Sequence, residues 1–586
     1  MMAKSVWIEC PACDYREPLV RPLSACPRCG GQWLDARYDY EAIRNRLGEL
    51  LLEPSRGMWR YWDLLPLRDP ANILTMGEGG TPLLRAANLG LMLGRPCLFV
   101  KDERQGPTGS FKDRQAALAI SFMKEQGITE AVVASTGNVA ISYSAYSALA
   151  GIKLWAFLTS SVPGDKMREV ALYGTEVVKV TGTYDQTKQV AADFAKRRGL
   201  HLDPGIKSLA AKESMKTVAF EIAEQLGNPK SRRSPSGDKI TQIPVRGPNH
   251  TDPHQGTRFL APDWYIQAVS GGMGSVGVWK GFKELYDMGL VDRLPKLACI
   301  QSTGCAPMVE SFKKGLAVAE PVVNPQTVIT TVATGNPGIA YTWLRQVILE
   351  HGGVFEAVGD DEAFRAMHVM AKMDGISMEP AAGLAFAGLF KLVSNGMIQP
   401  DDIVVVNCSG HTFAVDKFLL GDTWSQSVNA TQPAPAGPAG APQGMGETEE
   451  GLLTSLDQLD SRVKRIAIVE DNPDARRLLR RVLQARGEYQ IFEASGGLEG
   501  IDLVRRERPD LVLLDLMMPE VDGFQVLETI KADKDLAGTR IIVITAKTLS
   551  AGERRRLSGQ IELLLQKGSF LDDELLEEIL ATLKEK

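Results

Sequence analysis

From about residue 36 to 421 the chain alternates short apolar, β-branched runs with amphipathic stretches of about 10–15 residues. CLFVKDE, EAVVAS, KLWAFL, EVVKV, DWYIQAV, KLACIQ and DIVVVNC read as strands and most of the intervals between them as helices, a rhythm that predicts parallel sheets covered by helices on both faces. A polar interval from Asn228 to about Leu260, rich in Pro, Ser, Arg and Gly, breaks the rhythm and reads as a mobile surface insertion. Residues 463–586 take up the alternation again on a smaller scale. RIAIVEDNPDARRLL, PDLVLLDLMMPEVDG, RIIVITAK and LLLQKG follow one another in the order of a five-stranded, doubly wound unit. Between the two, residues 422–462 contain ATQPAPAGPAGAPQGMGE, which has too little apolar bulk to build a core and reads as a tether. A flexible coil of that length spans roughly 35 Å, so the last unit is expected to dock or swing. A short cysteine-rich head, residues 1–35, precedes them all.

Composition supports folded domains throughout this plan. With 44% hydrophobic and 24% charged residues, the 586-residue chain is neither disordered, collagen-like nor coiled coil. Lys+Arg 66 against Asp+Glu 72 leaves a net charge of −6, so no overall basic field would attract nucleic acid or anionic lipid. There is no secretory apolar core at the start and no long uncharged apolar span, which leads us to expect a cytoplasmic protein with no membrane partner. Of eight cysteines, Cys97, Cys299, Cys305 and Cys408 lie singly in strand-like surroundings, unlike a disulfide framework.

The other four, Cys10, Cys13, Cys26 and Cys29, form C-x2-C-x12-C-x2-C, with Gly30 and Gly31 permitting a tight turn after the second pair. Two such knuckles suit a tetrahedral Zn²⁺ in a zinc ribbon, and four protein ligands would leave no open position, hence a structural metal. The competing reading is four buried, unpaired thiols.

In the body, KDERQGPTGSFKDR places Ser110 and Lys112 between a strand and a helix starting near Phe111. The helix dipole and partial burial there both disfavour an ammonium, freeing an amine for imine formation. Alone, S-x-K is equally a capping serine before an exposed lysine. Ser135, Thr136, Gly137 and Asn138 (STGN) again follow a strand and open a helix, where free amides would hold a substrate carboxylate. Gly271, Gly272, Met273, Gly274 and Ser275, after DWYIQAV, are a candidate phosphate cradle, although Gly-rich strand-to-helix turns also serve plain packing.

With GEGGTPL (Gly77 to Leu83), PTGSFKDR, STGN, KTVAFEIAEQLG (Lys216 to Gly227), WKGFKEL (Trp279 to Leu285), GNPG (Gly335 to Gly338) and MEPAAG (Met378 to Gly383) in this order, residues 1–420 resemble the fold type II, tryptophan synthase β-like family of pyridoxal-phosphate enzymes, and within it the threonine synthases. The resemblance implies a two-lobed domain over 36–421, pyridoxal 5'-phosphate as cofactor, a small amino-acid substrate and a homodimer. It implies that Lys112 carries the cofactor in imine linkage and acts as acid and base. Ser110 would join the cofactor site, Asn138 would contact the ring hydroxyl, Gly271 to Ser275 the phosphate, and Ser409 the pyridine nitrogen. The implied reaction turns O-phospho-L-homoserine and water into L-threonine and phosphate. Alternatives are a related lyase such as a serine/threonine dehydratase, a β-replacement enzyme, or an amino-acid sensor that keeps the cofactor. The segment SLAAKESMKT departs from the family pattern: an arginine is expected where Ala211 stands, and a methyl offers phosphate nothing like a guanidinium fork. Lys207 and Lys212 are the nearby substitutes. Val139 likewise stands where a hydroxyl is usual, and SGGMG and SGHTFAV replace the usual loops.

Residues 463–586 put Glu470 and Asp471 after their first strand and Asp515 after the third, so three carboxylates converge at one sheet edge and call for Mg²⁺. This resembles a flavodoxin-like (βα)5 response-regulator receiver. By that resemblance Asp515 is phosphorylated by an external histidine kinase or other phosphoryl donor, Thr545 bonds the phosphoryl oxygen and Lys567 pairs with the phosphate. Gly568 stands where proline is usual and Leu564 where an aromatic switch is usual, and the expected effector is the enzyme body.

Overall fold

Alternation of inward and outward side chains shapes the head. In β1 (Val6–Cys10), Val6, Ile8 and Cys10 are buried while Trp7 and Glu9 are partly exposed, as a period of two requires. β1 pairs antiparallel with β2 (Tyr15–Pro18) and β3 (Asp35–Tyr38). The computed structural model describes residues 4–20, 23, 25–44, 54–227, 259–411, 464–486, 489–545, 553, 556–557, 559–561 and 563–566, in two compact units. The tether at 422–462, residues 228–258 of the insertion, and Lys567 and Gly568 lie outside them. The insertion ends sooner than the polar composition predicts. Phe259 and Leu260 are buried, and the Leu260 N–H donates to Ala223 O at 3.0 Å.

The body follows as β4 (Leu83–Arg85), β5 (Leu98–Asp102), α1 (Lys112–Glu125), β6 (Glu130–Ser135), α2 (Asn138–Ala150), β7 (Lys153–Thr159), β8 (Glu176–Val180), β9 (His201–Leu202) and α3 (Leu209–Gly227). It continues with β10 (Trp264–Ala268), α4 (Met273–Asp287), β11 (Lys296–Ser302), β12 (Gly353–Val358), α5 (Pro380–Ser394) and β13 (Val404–Cys408). Two sheets result, ordered β12-β11-β10-β13-β5-β4 and β8-β7-β6-β9. Every pairing is parallel except that of β4 with β5. All seven predicted runs are strands. The pattern missed β4 and β9, too short to show a period, and β12, whose apolar run is interrupted by Glu356.

α3 is buried along most of its length, yet Lys212, Glu213, Lys216 and Glu221 on it are wholly buried. A helix hidden on all sides is normally apolar, so each of these charges needs a partner. Glu221 accepts from Arg114 Nη1 and Nη2 (2.8 Å each) and from Lys101 Nζ (2.7 Å). Arg114 also forks onto Glu103 at 2.8 Å and reaches Thr81 and Thr217 at 3.0 Å. Two cations thus face two carboxylates, and their mutual attraction holds Glu221 far below the usual carboxylate range despite burial. A second network ties the head to the body. Glu213 accepts from Lys216 (2.5 Å), from Lys280 and from the Tyr38 hydroxyl (2.8 Å), while Lys280 and Lys212 donate to Ala36 O and Leu34 O. Burial would raise the Glu213 carboxyl, but the two lysines bring it down to about 2.

The C-terminal unit comprises β14 (Lys464–Val469), α6 (Pro473–Arg486), β15 (Tyr489–Ala494), α7 (Gly497–Glu507), β16 (Leu511–Leu514), α8 (Gly523–Ala532), β17 (Arg540–Thr545) and β18 (Leu563–Gln566). Its strands are all parallel, in the order β15-β14-β16-β17-β18. β14 sends Ala467 and Val469 into one core and Ile466 and Ile468 into the other, which is why its sequence is apolar without alternation. In β18, Leu564 pairs in register with Val543.

Candidate active site

The loop before α1 is zipped to the end of β13. Phe111 N–H donates to Ser409 O and His411 N–H to Gly109 O, each at 3.0 Å, and Ser110 forms a β-bridge with Gly410. Parallel strands bring their carboxyl ends together at one edge, so this pinning sets Lys112, the first residue of α1, beside Ser409. Behind it the buried Asp113 accepts from the Thr108 N–H at 2.9 Å, and burial raises its carboxyl to about 6.

Lys112 Nζ lies 4.3 Å from the centroid of the Phe111 ring and 3.5 Å from Gln115 Oε1. Burial lowers its amine to about 8, against the opposing pull of Glu379. Amine reactivity should follow: in the cofactor-free protein, the rate at which Lys112 captures an aldehyde, read by borohydride trapping, rises about tenfold per pH unit up to pH 8 and then levels. A rate still climbing at pH 10 would mean an ordinary, solvated lysine.

Lys112 opens onto a cavity of about 1080 Å³, whose walls include Ser135, Thr136, Asn138, Ser409 and the run Ser270 to Gly274. At that run the chain turns into α4 through Gly272 (φ 85), which has no side-chain cap, so the first amides of the helix keep their hydrogen-bonding capacity. A Cβ at Gly271 would meet nothing within 4 Å, whereas at Gly274 it would lie 2.2 Å from Gln267 Nε2. Open space over uncapped amides is what a phosphate group needs. Ser275, expected beside them, is buried and faces Cys299. Ser135 caps α2, its Oγ accepting from Gly137 N and Ala140 N at 3.1 Å, so the hydroxyl orders the STGN turn. The two candidate substitutes for the missing arginine part company. Lys212 turns to the head, 3.8 Å from the Trp33 ring centroid, whereas Lys207 lines the cavity and donates to Gln32 Oε1 at 2.5 Å. Ala211 is buried and lies outside the lining.

Sequence reading missed two residues. Glu379, inside the quoted MEPAAG, accepts from Asn138 Nδ2 (2.8 Å) and Ser409 Oγ (3.2 Å). Lys166 donates to Asn138 Oδ1 at 2.7 Å and sits 3.8 Å from Glu379, fixing which way the Asn138 amide points. Pro380 at the start of α5 was a signal for Glu379, since it marks the preceding residue as a helix cap. No local pattern marks Lys166.

In the head, Cys10 and Cys29 Sγ are 3.6 Å apart, as are Cys13 and Cys26, and all four sulfurs lie within 4.8 Å of one another. Tetrahedral Zn–S bonds of about 2.3 Å imply S···S edges of roughly 3.8 Å, so the cluster is the right size for zinc. In the C-terminal unit, oxygens of Glu470, Asp471 and Asp515 lie within 4.8 Å of one another, with Thr545 closing β17. Such a carboxylate group suits a hard divalent cation. Among the described residues no helix is long and apolar enough to cross a membrane.

The pyridoxal-phosphate dependent enzyme family matches residues 74–237 and 254–410, breaking inside the polar insertion, and the response regulator receiver domain matches 466–580. The chain is 36% identical to threonine synthase of Methanocaldococcus jannaschii over 385 residues, covering 65% of this chain and 87% of that protein. It is 33% identical to threonine synthase of Methanosarcina acetivorans over 407 residues, 69% and 90% of the two chains. The processed threonine deaminase isoform 2 of Solanum lycopersicum is similar at 20% identity with a TM-score of 0.45, covering 58% of this chain and 81% of that one.

Proposed function

Since the chain belongs to the pyridoxal-phosphate dependent enzyme family and carries a response regulator receiver domain, we propose that it converts O-phospho-L-homoserine and water to L-threonine and phosphate, and that phosphorylation of Asp515 tunes this activity. The observation that carries the proposal is a half-buried amine at Lys112 opening onto a cavity with an uncapped, glycine-lined helix start, in a chain whose relatives are threonine synthases. When bound, pyridoxal phosphate supplies an aldehyde that links to amines and a ring that withdraws electrons. Gly271 to Gly274 would hold its phosphate through backbone amides, Asn138 its ring hydroxyl and Ser409 its pyridine nitrogen. The amides of the STGN turn, ordered by Ser135, would bind the substrate carboxylate. Lys112, lowered to about 8, would take and return protons near neutral pH. Purified protein supplied with O-phosphohomoserine should release phosphate and threonine in equal amounts; phosphate without threonine, or neither, would overturn the assignment.

One observation favours a second reading. No arginine lines the cavity among the described residues, which fits a lyase acting on an unphosphorylated hydroxy amino acid such as serine or threonine. Ammonia and 2-oxo acid formed from these substrates, with none of the synthase products, would establish it.

The head would hold a structural Zn²⁺. Because it is bonded to α3 and α4 through Tyr38, Lys212 and Lys280, stripping the metal with a strong chelator should lower the melting temperature of the body as well. In the receiver, Glu470, Asp471 and Asp515 would hold Mg²⁺, and Asp515 would accept a phosphoryl group from a histidine kinase. Asp515→Asn should abolish Mg²⁺-dependent labelling by a small phosphodonor, read as loss of acid-stable, base-labile phosphate. Beryllofluoride should change turnover of the wild type and leave Asp515→Asn unaffected; turnover unchanged by beryllofluoride in both would exclude regulation through this site.

A further inference from the structure

A line of hydrogen bonds runs from Lys112 across α1 and α2 to the loop after β9. Lys112 Nζ donates to Gln115 Oε1 (3.5 Å, the loosest link), Gln115 Nε2 to the Tyr143 hydroxyl (3.2 Å), and Tyr143 to Asp203 Oδ2 (3.0 Å). Asp203 is held in turn by the Gly205 N–H on Oδ1 at 2.8 Å. Both ends reach the cavity, while Tyr143 in the middle is wholly buried. Nothing in the pairing of strands or the capping of helices requires these four side chains to meet.

Resting on the lysine chemistry proposed above, we infer that Gln115, Tyr143 and Asp203 are positioning residues that orient the Lys112 amine and stabilise its protonated form between proton transfers. Every link donates in the same direction, away from Lys112 and towards a carboxylate. A negative charge on Asp203 therefore polarises the Tyr143 hydroxyl, then the Gln115 amide, and makes Gln115 Oε1 a better acceptor for an ammonium. An amide does not readily relay a proton, so the line acts through orientation and polarisation. Burial raises the Asp203 carboxyl to about 6, so it is ionised where Lys112 titrates. The ionisable groups facing Asp203 are Tyr143, which burial and Asp203 itself keep protonated, and Tyr184, raised by the same two causes. Asp185 and Lys188, on the helix that begins at Tyr184, pair with each other at 2.6 Å, and Lys207 is engaged by Gln32. The charge facing Lys112 from α5's cap is Glu379.

The test uses the full chain freed of cofactor, with pyridoxal phosphate as probe and borohydride trapping at a series of pH values, the adduct located by mass spectrometry. Asp203→Asn keeps an acceptor for Tyr143 and removes only the charge. It should lower the midpoint of Lys112 trapping by about half a pH unit, a roughly threefold faster capture at pH 7. Tyr143→Phe should give the same shift, and the double variant should add nothing to either, since both break one line. Gln115→Leu, at the cavity wall, gives that shift too and serves if Asp203→Asn does not fold. An unchanged midpoint in Asp203→Asn or Gln115→Leu, or additive shifts in the double variant, would overturn the inference while leaving Lys112 as the cofactor lysine. Absence of a Lys112 adduct in the wild type would overturn the enzymatic reading and this one with it.

Discussion

Lys112→Ala is expected to lower turnover by about ten-thousand-fold or more, because one substitution removes both the covalent anchor and the group that moves protons. The protein should nevertheless fold. Burial already penalises the ammonium at this position, and the side chain's one hydrogen bond, to Gln115, is long. With the cofactor removed from both proteins, a melting temperature equal to or above that of the wild type is therefore expected, alongside the lost activity and the lost borohydride-sensitive absorbance of the reconstituted variant. Retention of more than about a hundredth of wild-type turnover would show that another group performs the proton transfers, contrary to the role given to Lys112.

Glu221→Ala should have the opposite profile, with stability as the casualty. Two buried cations, Arg114 and Lys101, would then face Glu103 alone, in a region where water cannot solvate the surplus charge. Removing one partner of such a buried network typically destabilises by about 3–5 kcal/mol, enough to leave many proteins unfolded at 37 °C. Urea denaturation of the variant against the wild type measures this, and a loss below about 1 kcal/mol would mean the network is far better solvated than its burial indicates. The pH dependence follows from the same geometry. Glu213 and Glu221 have folded-state values depressed below those of a free glutamate, so they bind protons more readily in the unfolded chain. Their stabilisation is fully present above the unfolded value, near pH 4.5, and is lost as the pH falls towards their folded values, so acid unfolding should set in below about pH 4.5.

Much of this architecture is written in local pattern. Apolar runs such as LACI and VVV are continuous because both faces of their sheets are covered, and each one lies in a strand. The spacing of Cys10, Cys13, Cys26 and Cys29, the glycines before α4 and the acids ending β14 and β16 are local too, because a turn needs only its neighbours to form. Pattern is a poor guide where a segment's surroundings outvote its composition. LAAKESMK carries three charges in eight residues, yet it forms the start of a buried helix. Its charges are tolerated there only because Tyr38, Lys280 and Glu284 arrive from elsewhere in the chain to meet them.

Composition and spacing along the chain were sufficient for seven strands of the body, the two CxxC knuckles and the acids that end β14 and β16, since each depends on contacts within one element or one turn; the lysine at the head of α1 was marked by the family resemblance. They were silent on Lys166 and on the contacts that Glu379 makes to Asn138 and Ser409, on the line from Lys112 to Asp203, and on which of Lys207 and Lys212 faces the cavity. Those assignments join residues tens to hundreds of positions apart. Hydrogen bonds and charge pairs of that kind arise from how helices pack over sheet edges, and side-chain periodicity carries no record of it.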